Sequence, residues 1–378
     1  MPRVLFVFGT RPEAIKLAPV VTCFREHAPW IEARVCVTAQ HRGLLDQVLE
    51  VFGVTPDYDL NIMAAAQTLF QSTAAIVRAL EPVFADARPA FTIVQGDTTT
   101  TLCGALCSFY ARTPVAHVEA GLRTGDYSRP FPEEMNRVVT SRIAGLHFAP
   151  TAAAAENLRA ERVPDDRIMV TGNTGIDALL RVCEKLDRGE VAAPDLPVSE
   201  RKLVLVTAHR RESFGPGFDR ICGALRDIAS RSGVDIVFPV HPNPNVSRPV
   251  YDALGGLANV KLVAPLAYVP FVALMRRAHV ILTDSGGIQE EAPSLGKPVL
   301  VLRETTERPE GVASGAARLV GTDRRQIVEE TGRLLDDSAE YARRARVQNP
   351  YGDGRASRRI VDAIAARLAV ENAPATVF

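Results

Sequence analysis

Short apolar runs alternate with longer helical patterns along the whole chain. In the first half, the apolar runs predict six strands: Val4–Phe8, Ala33–Thr38, Ala90–Gln95, Val115–Val118, Gly145–Ala149 and Ile168–Thr171. The intervening patterns predict helices over Pro12–Glu26, Leu44–Phe52, Leu69–Ala85, Thr98–Ala111, Pro132–Ala144 and Ala152–Arg159. Such an alternation predicts an α/β domain whose parallel sheet is covered by helices on both faces.

The same alternation restarts near residue 200. A helix is predicted over Asp177–Arg188, and the proline-containing stretch Ala192–Val198 is the best linker candidate. The strands predicted beyond it are Leu203–Thr207, Asp235–Val240, Val260–Val263, Val280–Thr283 and Pro298–Val301. The helices predicted there are Phe218–Ser230, Val269–Arg277, Gln326–Leu335 and Ala356–Leu368. Two such halves predict doubly wound parallel-sheet domains that face each other across a cleft. Ligands bind these sheets at the carboxyl ends of their strands.

A chain of 378 residues is long enough for two domains. Its content of 47% hydrophobic and 23% charged residues is that of an ordinary globular protein. Lys plus Arg (44) equals Asp plus Glu (44), so no net field favours nucleic acid or an acidic membrane. No apolar run spans a bilayer, and the first residues lack the pattern of a secretory signal. Six scattered cysteines indicate reduced core thiols and a cytoplasmic protein, with no zinc site.

The segment Asp284–Glu291 predicts a phosphate site in the second half. It joins the predicted strand Val280–Thr283 to a short predicted helix, Ala292–Gly296, through Ser285-Gly286-Gly287. The first amides of a helix have no carbonyl partner within it, and the helix dipole favours an anion there. Two glycines let a phosphate approach the backbone closely. Glu291 lies where a carboxylate can accept hydrogen bonds from ribose hydroxyls.

Acidic residues collect at the predicted strand ends of the first half. Asp97 and Glu119 each follow an apolar run, and Glu133 opens a helix. We expect these three carboxylates to crowd one face and to raise one another's pKa, as paired acid and base chemistry requires. Arg11 and Lys16 follow the first strand and are candidates to face an anion. The alternatives are that Asp97 only caps a helix and that both cations lie at the surface.

The second half places basic residues at its strand ends. His209 is followed by two arginines, and His241 ends the next predicted strand. Two histidines at equivalent strand ends favour ligand contact over a purely structural role. Asp57-Tyr58-Asp59 has the spacing of a D-x-D metal motif, but its turn-like context disfavours metal binding. Dinucleotide, P-loop and zincin motifs are absent from the sequence.

Seven motifs, in order, resemble the non-hydrolysing UDP-N-acetylglucosamine 2-epimerases. They are Gly9–Glu13, Gln95–Thr98, His117–Arg123, Pro132–Arg137, His209–Glu212, His241–Asn243 and Asp284–Gly287. The resemblance implies a GT-B fold in a homodimer, with residues 1–172 and 356–378 in one domain and 173–355 in the other. It implies reversible conversion of UDP-GlcNAc to UDP-ManNAc without a cofactor, for bacterial surface polysaccharides.

In that family, UDP is eliminated anti across C1–C2 to give 2-acetamidoglucal and is then added back. The resemblance implies that Asp97, Glu119, Glu133 and His209 are catalytic. It further implies that UDP and its sugar contact Arg11, Lys16, Arg137, His209, His241, Ser285, Gly286, Gly287 and Glu291. Which acid removes the proton and which returns it stays open.

Some members bind a second UDP-GlcNAc as an activator, and Gln40, His41 and Gln67 match positions expected to contact it. Ala66 departs from the arginine expected there. Other activities stay open on the sequence: epimerisation of a UDP-2,3-diacetamido uronic acid, a GT-B glycosyltransferase, a hydrolysing epimerase and a nucleotide-sugar sensor.

Overall fold

The computed structural model describes residues 1–38, 42–62, 67–192 and 199–371. The chain divides into two compact units. The first comprises Met1–Arg181 with the segment from Gly352, and the second is Val182–Tyr351. The division falls inside the helix Thr174–Asp187, shortly after the boundary at 172/173 expected from the sequence. Most of the expected linker, residues 193–198, lies outside the described part.

The first unit is built on a seven-stranded sheet in which every pairing is parallel. Its strands are β1 (Arg3–Phe8), β2 (Glu32–Val37), β3 (Tyr58–Asp59), β4 (Phe91–Gln95), β5 (Val115–Val118), β6 (Leu146–Ala149) and β7 (Ile168–Val170). The helices are α1 (Arg11–His27), α2 (Arg42–Phe52), α3 (Leu69–Ala87), α4 (Thr99–Tyr110), α5 (Glu133–Ile143), α6 (Ala152–Ala160) and α7 (Thr174–Asp187). The strand order β3-β2-β1-β4-β5-β6-β7 identifies a doubly wound sheet.

The direction of winding reverses between β1 and β4, which lie side by side at the centre of this sheet. Val4 to Phe8 of β1 are completely buried, because helices cover both faces of a central parallel strand. The connections that follow β1 and β4 therefore cross opposite faces of the sheet. Their two carboxyl ends form the crevice in which such sheets bind ligands.

The last described helix, α15 (Ala356–Glu371), belongs to the first unit, where it packs on α1. The buried carboxylate of Asp177, on α7, accepts hydrogen bonds from the amides of Ala356 (3.2 Å) and Ser357 (2.7 Å). These are the first two amides of α15, which have no acceptor within the helix. A side chain from α7 therefore caps α15 and attaches it to the unit.

The second unit contains a six-stranded sheet, again entirely parallel. Its strands are β8 (Lys202–Thr207), β9 (Val234–Pro239), β10 (Val260–Val263), β11 (Val280–Thr283), β12 (Val299–Val301) and β13 (Ala317–Leu319). The helices are α8 (Pro216–Ala229), α9 (Pro244–Leu254), α10 (Tyr268–Arg277), α11 (Gly286–Glu291), α12 (Pro309–Ala313), α13 (Arg324–Asp336) and α14 (Ser338–Ala345). The order β10-β9-β8-β11-β12-β13 places the reversal between β8 and β11.

The predicted strands and long helices are present within a few residues of their expected bounds. The helices α9, α12 and α14 were not predicted, and neither were two short strands: β3 has two residues and β13 has three. Both lie at a sheet edge, where few side chains are buried and the apolar signal is weak. None of the described helices is long and apolar enough to cross a membrane.

Replacing Asp177 by alanine is expected to lower the free energy of unfolding by about 1 to 2 kcal/mol, because two helix-start amides lose their acceptor. The matched control is Asp362→Ala on α15, whose exposed carboxylate pairs with Arg358 one turn away. Urea unfolding of both variants measures the difference. Equal midpoints for the two variants would show that the Asp177 cap does not stabilise the unit.

Candidate active site

A buried carboxylate joins the two central strand ends of the first unit. Glu13 lies in the first turn of α1 and is 1% exposed. Its Oε2 accepts hydrogen bonds from the amides of Gly9 (3.1 Å) and Thr10 (2.8 Å), in the turn after β1. Its Oε1 accepts from the hydroxyl of Thr98 (2.7 Å), in the turn after β4, and lies 3.2 Å from the Thr101 hydroxyl.

These contacts hold the turns after β1 and β4 in a single arrangement. Burial raises the pKa of Glu13, and the hydrogen bonds from Thr10, Thr98 and Gly9 oppose that rise by favouring the carboxylate. Arg11 is the first residue of α1 and directly follows one turn, while Asp97 lies in the other. Glu13 therefore sets the spacing between two of the predicted site segments.

Asp97 is not the cap of the following helix. That role belongs to Thr98, whose side chain accepts from the amide of Thr101 (3.1 Å). The Asp97 carboxylate lies 3.5 Å from the guanidinium of Arg137, and its backbone carbonyl accepts from the side chain of Asn136 (2.9 Å). The interpretation of Asp97 as a plain helix cap was wrong, and its carboxylate is available for chemistry.

Burial is the largest influence on the Asp97 carboxyl, and it raises the pKa of Asp97 to about 6. Arg137 opposes this rise, whereas the negative charges of Glu119 and Glu133 add to it. The expected mutual effect of the three carboxylates is therefore present, but it is smaller than the effect of burial. A carboxyl that titrates near neutral pH can both accept and donate a proton.

Glu119 ends β5 in a left-handed backbone conformation, with φ of +64°. A non-glycine residue adopts this conformation at a cost, and such residues collect at functional sites. Its largely buried carboxylate is bonded by the ammonium of Lys16 and by the side-chain amide of Gln95. Lys16 is therefore not a solvated surface cation, and it connects α1 to the acidic group.

The two acids that open α5 have different environments. Glu134 is buried, accepts from the amides of Thr124 and Gly125 (both 3.0 Å), and faces the guanidinium of Arg137 at 3.2 Å. Glu134 is therefore structural and orients Arg137. Glu133 is the first residue of α5 and lies close enough to Asp97 to raise its pKa. The first unit thus brings together Lys16, Asp97, Glu119, Glu133 and Arg137.

A second buried carboxylate joins the central strand ends of the second unit. Asp284 directly follows β11 and is fully buried. Its Oδ2 accepts from the amides of His209 (2.6 Å) and Arg210 (2.7 Å), which follow β8. Its Oδ1 lies 3.6 Å from Nδ1 of His209. Asp284 therefore orients both the backbone and the ring of His209.

The rings of His209 and His241 stack, with centroids 5.5 Å apart and planes inclined by 17°. Nδ1 of His241 accepts from the amide of Asn243 (3.1 Å), which fixes that nitrogen as the unprotonated one. Burial lowers the pKa of His209, and the Asp284 carboxylate opposes the change. The second unit thus brings both predicted histidines into contact at its strand ends.

The predicted phosphate segment forms a helix start. Ser285 is the cap residue of α11, which begins at Gly286 and continues into a 3₁₀ turn, Ala292–Leu295. Among the described residues beyond the local backbone, no atom lies within 4 Å of the position that a Cβ on Gly287 would take. A side chain at Gly286 would come within 3.2 Å of Glu307 and 3.5 Å of Arg308. The helix therefore begins earlier than expected, and Glu291 is its last residue.

The remaining predicted positions have mixed outcomes. Gln67 donates to the carbonyl of Ile62 (3.2 Å), while Gln40, His41 and Ala66 lie outside the described residues. Asp57 of the D-x-D sequence accepts from Arg34 and from the amide of Val35 (both 2.8 Å), so its carboxylate has a structural role. Within the described ranges, no cluster of His, Cys, Asp or Glu could hold a metal ion.

The residues of this arrangement that were not predicted as site residues are Glu13, Gln95, Glu134, Asn136, Asp284 and Arg308. Thr10 and Glu13 have the spacing of a capping box, and this signal was available. Arg308 bonds Glu290 and lies beside the start of α11, where its cation adds positive charge. Nothing in the sequence distinguished Arg308 from the neighbouring Arg303.

Comparison with known proteins is consistent with this geometry. The family model described as UDP-N-acetylglucosamine 2-epimerase matches residues 25–365. The UDP-N-acetylglucosamine 2-epimerase of Escherichia coli (strain K12) is 55% identical over 369 residues, which cover 96% of this chain and 98% of that protein.

Two solved structures show the same fold. The UDP-GlcNAc 2-epimerase from Neisseria meningitidis, bound to UDP-GlcNAc, has a TM-score of 0.87 and 48% identity over 96% of this chain and 100% of that one. The enzyme from Methanocaldococcus jannaschii, in complex with UDP-GlcNAc and UDP, has a TM-score of 0.76 and 32% identity over 97% of this chain and 100% of that one. The predicted α/β fold of the GT-B type is confirmed. The chain belongs to the UDP-N-acetylglucosamine 2-epimerase family.

Proposed function

We propose that this protein interconverts UDP-GlcNAc and UDP-ManNAc by inverting C2 of the sugar. The observation that carries the proposal is the cluster of Asp97, Glu119 and Glu133 beside Lys16 and Arg137, in a chain of this family. The substrate assignment rests on the solved relatives that hold UDP-GlcNAc or UDP. No cofactor is required, because the chemistry consists of proton transfer and reversible departure of UDP.

The reaction needs negative charge near the sugar. The C2 proton is weakly acidic because no adjacent carbonyl stabilises the carbanion. The C1–O bond to UDP therefore breaks ahead of proton loss, and positive charge develops on the ring. Anti elimination gives 2-acetamidoglucal, and UDP then adds back with a proton delivered to the opposite face. Fixed carboxylates stabilise the developing positive charge without reorganisation during the reaction.

Asp97 is the group best suited to exchange the proton. Its pKa of about 6 lies near neutral pH, so both its charged and its neutral forms are accessible. Glu119 is instead held by Lys16 and Gln95, which fits a fixed negative charge near the ring. Glu133 supplies the third acid, and it is the partner we assign to the opposite face of C2.

The second unit supplies the groups that hold UDP. We assign Ser285, Gly286 and Gly287 to the phosphates, and Glu291 to the ribose. His209, held by Asp284, and Arg308 at the start of α11 add donors for departing UDP. Arg11 from the first unit is assigned to UDP, with His241 near the substrate. UDP retained in this way is available for addition back, so the sugar is not released by hydrolysis.

Four further assignments rest on the family resemblance. We propose a homodimer in the cytoplasm that supplies ManNAc units for surface polysaccharide. We assign Gln67, which lies in the described part of the chain, to contact with a second UDP-GlcNAc that acts as an activator. Ala66 is the departure that bears most directly on activation, since the cation expected at that position is missing.

Incubation with UDP-GlcNAc in D₂O tests the reaction directly. The expected product is UDP-ManNAc with deuterium at C2, because the C2 proton is removed and replaced from solvent. Proton NMR follows the loss of the C2 signal and the appearance of the second sugar. Free ManNAc with UDP would indicate hydrolysis instead. An inert UDP-GlcNAc together with turnover of a UDP-2,3-diacetamido uronic acid would reassign the substrate.

Asp97→Asn is expected to lower turnover by about 10²- to 10⁴-fold, because the amide cannot accept the proton. The affinity for UDP should stay within about twofold, measured by calorimetry, since Asp97 is assigned to the sugar and not to UDP. A parallel loss of UDP affinity would indicate that Asp97 supports the fold of the site.

The same variant has an expected effect on stability. The folded-state pKa of Asp97, about 6, is above the ordinary value of 3.8, so the ionised carboxylate destabilises the folded protein. Relative to Asp97→Asn, the wild type should gain stability as pH falls from about 7 to 4, and lose it as pH rises through 6. Thermal unfolding of both proteins across this range measures the difference, and a constant difference would contradict the raised pKa.

A further inference from the structure

His117 is a completely buried residue of β5 to which the proposed reaction assigns no role. It lies two residues before Glu119, and its Nε2 lies 2.7 Å from the backbone carbonyl oxygen of Gly96. Gly96 is the residue immediately before Asp97, in the turn after β4. The imidazole therefore reaches from one strand of the first unit to the turn that carries the proposed proton-exchanging carboxylate.

The bond from His117 to Gly96 identifies the tautomer of the ring. A carbonyl oxygen can only accept a hydrogen bond, so Nε2 must carry the hydrogen. Nδ1 is buried and has no hydrogen-bond partner among the described residues. Burial lowers the pKa of His117 to about 3, so the ring is neutral and Nδ1 is bare. Near neutral pH, the His117 ring therefore donates one hydrogen bond, to the carbonyl oxygen of Gly96.

This bond acts on the backbone of Asp97. The Gly96 carbonyl belongs to the peptide plane that enters Asp97, and His117 holds it. The Asp97 carbonyl belongs to the plane that leaves it, and Asn136 holds that one (2.9 Å). Because peptide units are rigid planes, fixing both fixes the φ and ψ of Asp97. Gly96 itself has φ of +73°, a conformation that glycine adopts without strain.

We propose that His117 is a positioning residue, which holds the Gly96–Asp97 peptide so that the Asp97 carboxylate keeps its place for proton exchange. The inference rests on the role proposed for Asp97. Displacing a reacting group by about 1 Å can lower the rate by roughly 100-fold without weakening substrate binding. The loss of this bond should therefore reduce kcat far more than it changes KM.

A second histidine provides a matched control. His147 on β6 is the register partner of His117 on the adjacent strand. It is 1% exposed, and burial lowers its pKa to about 4 against a smaller opposing contribution from the backbone of Ala144, which does not belong to the Asp97 turn. Replacing either ring should disturb the same sheet to a similar extent. Only the replacement of His117 removes a bond to the turn before Asp97.

The test compares His117→Phe, His117→Gln and His147→Phe with the wild type, using UDP-GlcNAc. His117→Phe should lower kcat by about 10- to 100-fold with KM within about twofold, while His147→Phe keeps kcat within about twofold. His117→Gln should restore most of kcat, because its side-chain N–H lies at the same number of bonds from the backbone as Nε2. Equal losses of kcat in His117→Phe and His147→Phe would show that His117 acts only through packing, and this result would overturn the proposal.

A readout independent of turnover separates this inference from the proposed function. The Asp97 carboxyl can be titrated by ¹³C NMR, with the Asp97→Asn protein identifying its signal. The wild type should titrate near 6, and His117→Phe should titrate lower, because a released turn exposes the carboxylate to water. An unchanged titration in His117→Phe overturns the positioning role. An inactive wild type with a shifted titration supports the positioning role and contradicts the epimerase assignment.

Discussion

Each sheet is held at its centre by one buried carboxylate that accepts hydrogen bonds from a neighbouring strand end. Glu13 joins the turns after β1 and β4 in the first unit. Asp284 joins β11 to the segment after β8 in the second. The crevice of a parallel sheet opens where its winding reverses, and the backbone amides just beyond the paired strand ends have no strand partner. In each unit a buried carboxylate satisfies such amides and fixes the spacing of the crevice.

The proposed chemistry depends on that spacing. In the first unit, the turn held by Glu13 leads to Asp97, whose two flanking peptides are bonded by His117 and Asn136. In the second unit, Asp284 fixes the backbone of His209 and faces its ring. Asp97 and His209, which touch the substrate in our proposal, are therefore each supported by residues that do not. This arrangement keeps charged groups oriented before the substrate binds, which is the condition for electrostatic catalysis.

The fold was predictable because its signal is repeated many times. Each central strand is a short apolar run bounded by a turn, and most of the covering helices are long enough to show their own pattern. The edge strands β3 and β13 were missed because two or three residues carry too little pattern. The start of α11 was misplaced because Ser285-Gly286-Gly287 has the composition of a loop, although Gly286 is already helical.

The site was predictable only for residues that stand out locally. Asp97, Glu119 and His209 follow apolar runs, where a polar group is conspicuous. Glu134 and Asp284 are equally close to the site, but their roles depend on amides distant in sequence, at Thr124 and at His209. The left-handed backbone of Glu119 was also invisible, since no glycine marks it. Bonds to distant backbone amides, and not residue type, separate these supporting acids from the acids that we propose to react.

The measurement closest to the central claim is amide hydrogen exchange in Glu13→Ala beside the wild type. Glu13 bonds the amides of Gly9 and Thr10 and the hydroxyl of Thr98. We expect the turns after β1 and β4 both to exchange about 10-fold faster or more in the variant, consistent with about 1 to 3 kcal/mol for unsatisfied buried groups. Faster exchange at Gly9 and Thr10 with an unchanged turn at residues 96–98 would contradict the account, because it would show that Glu13 caps one helix and does not join the two strand ends.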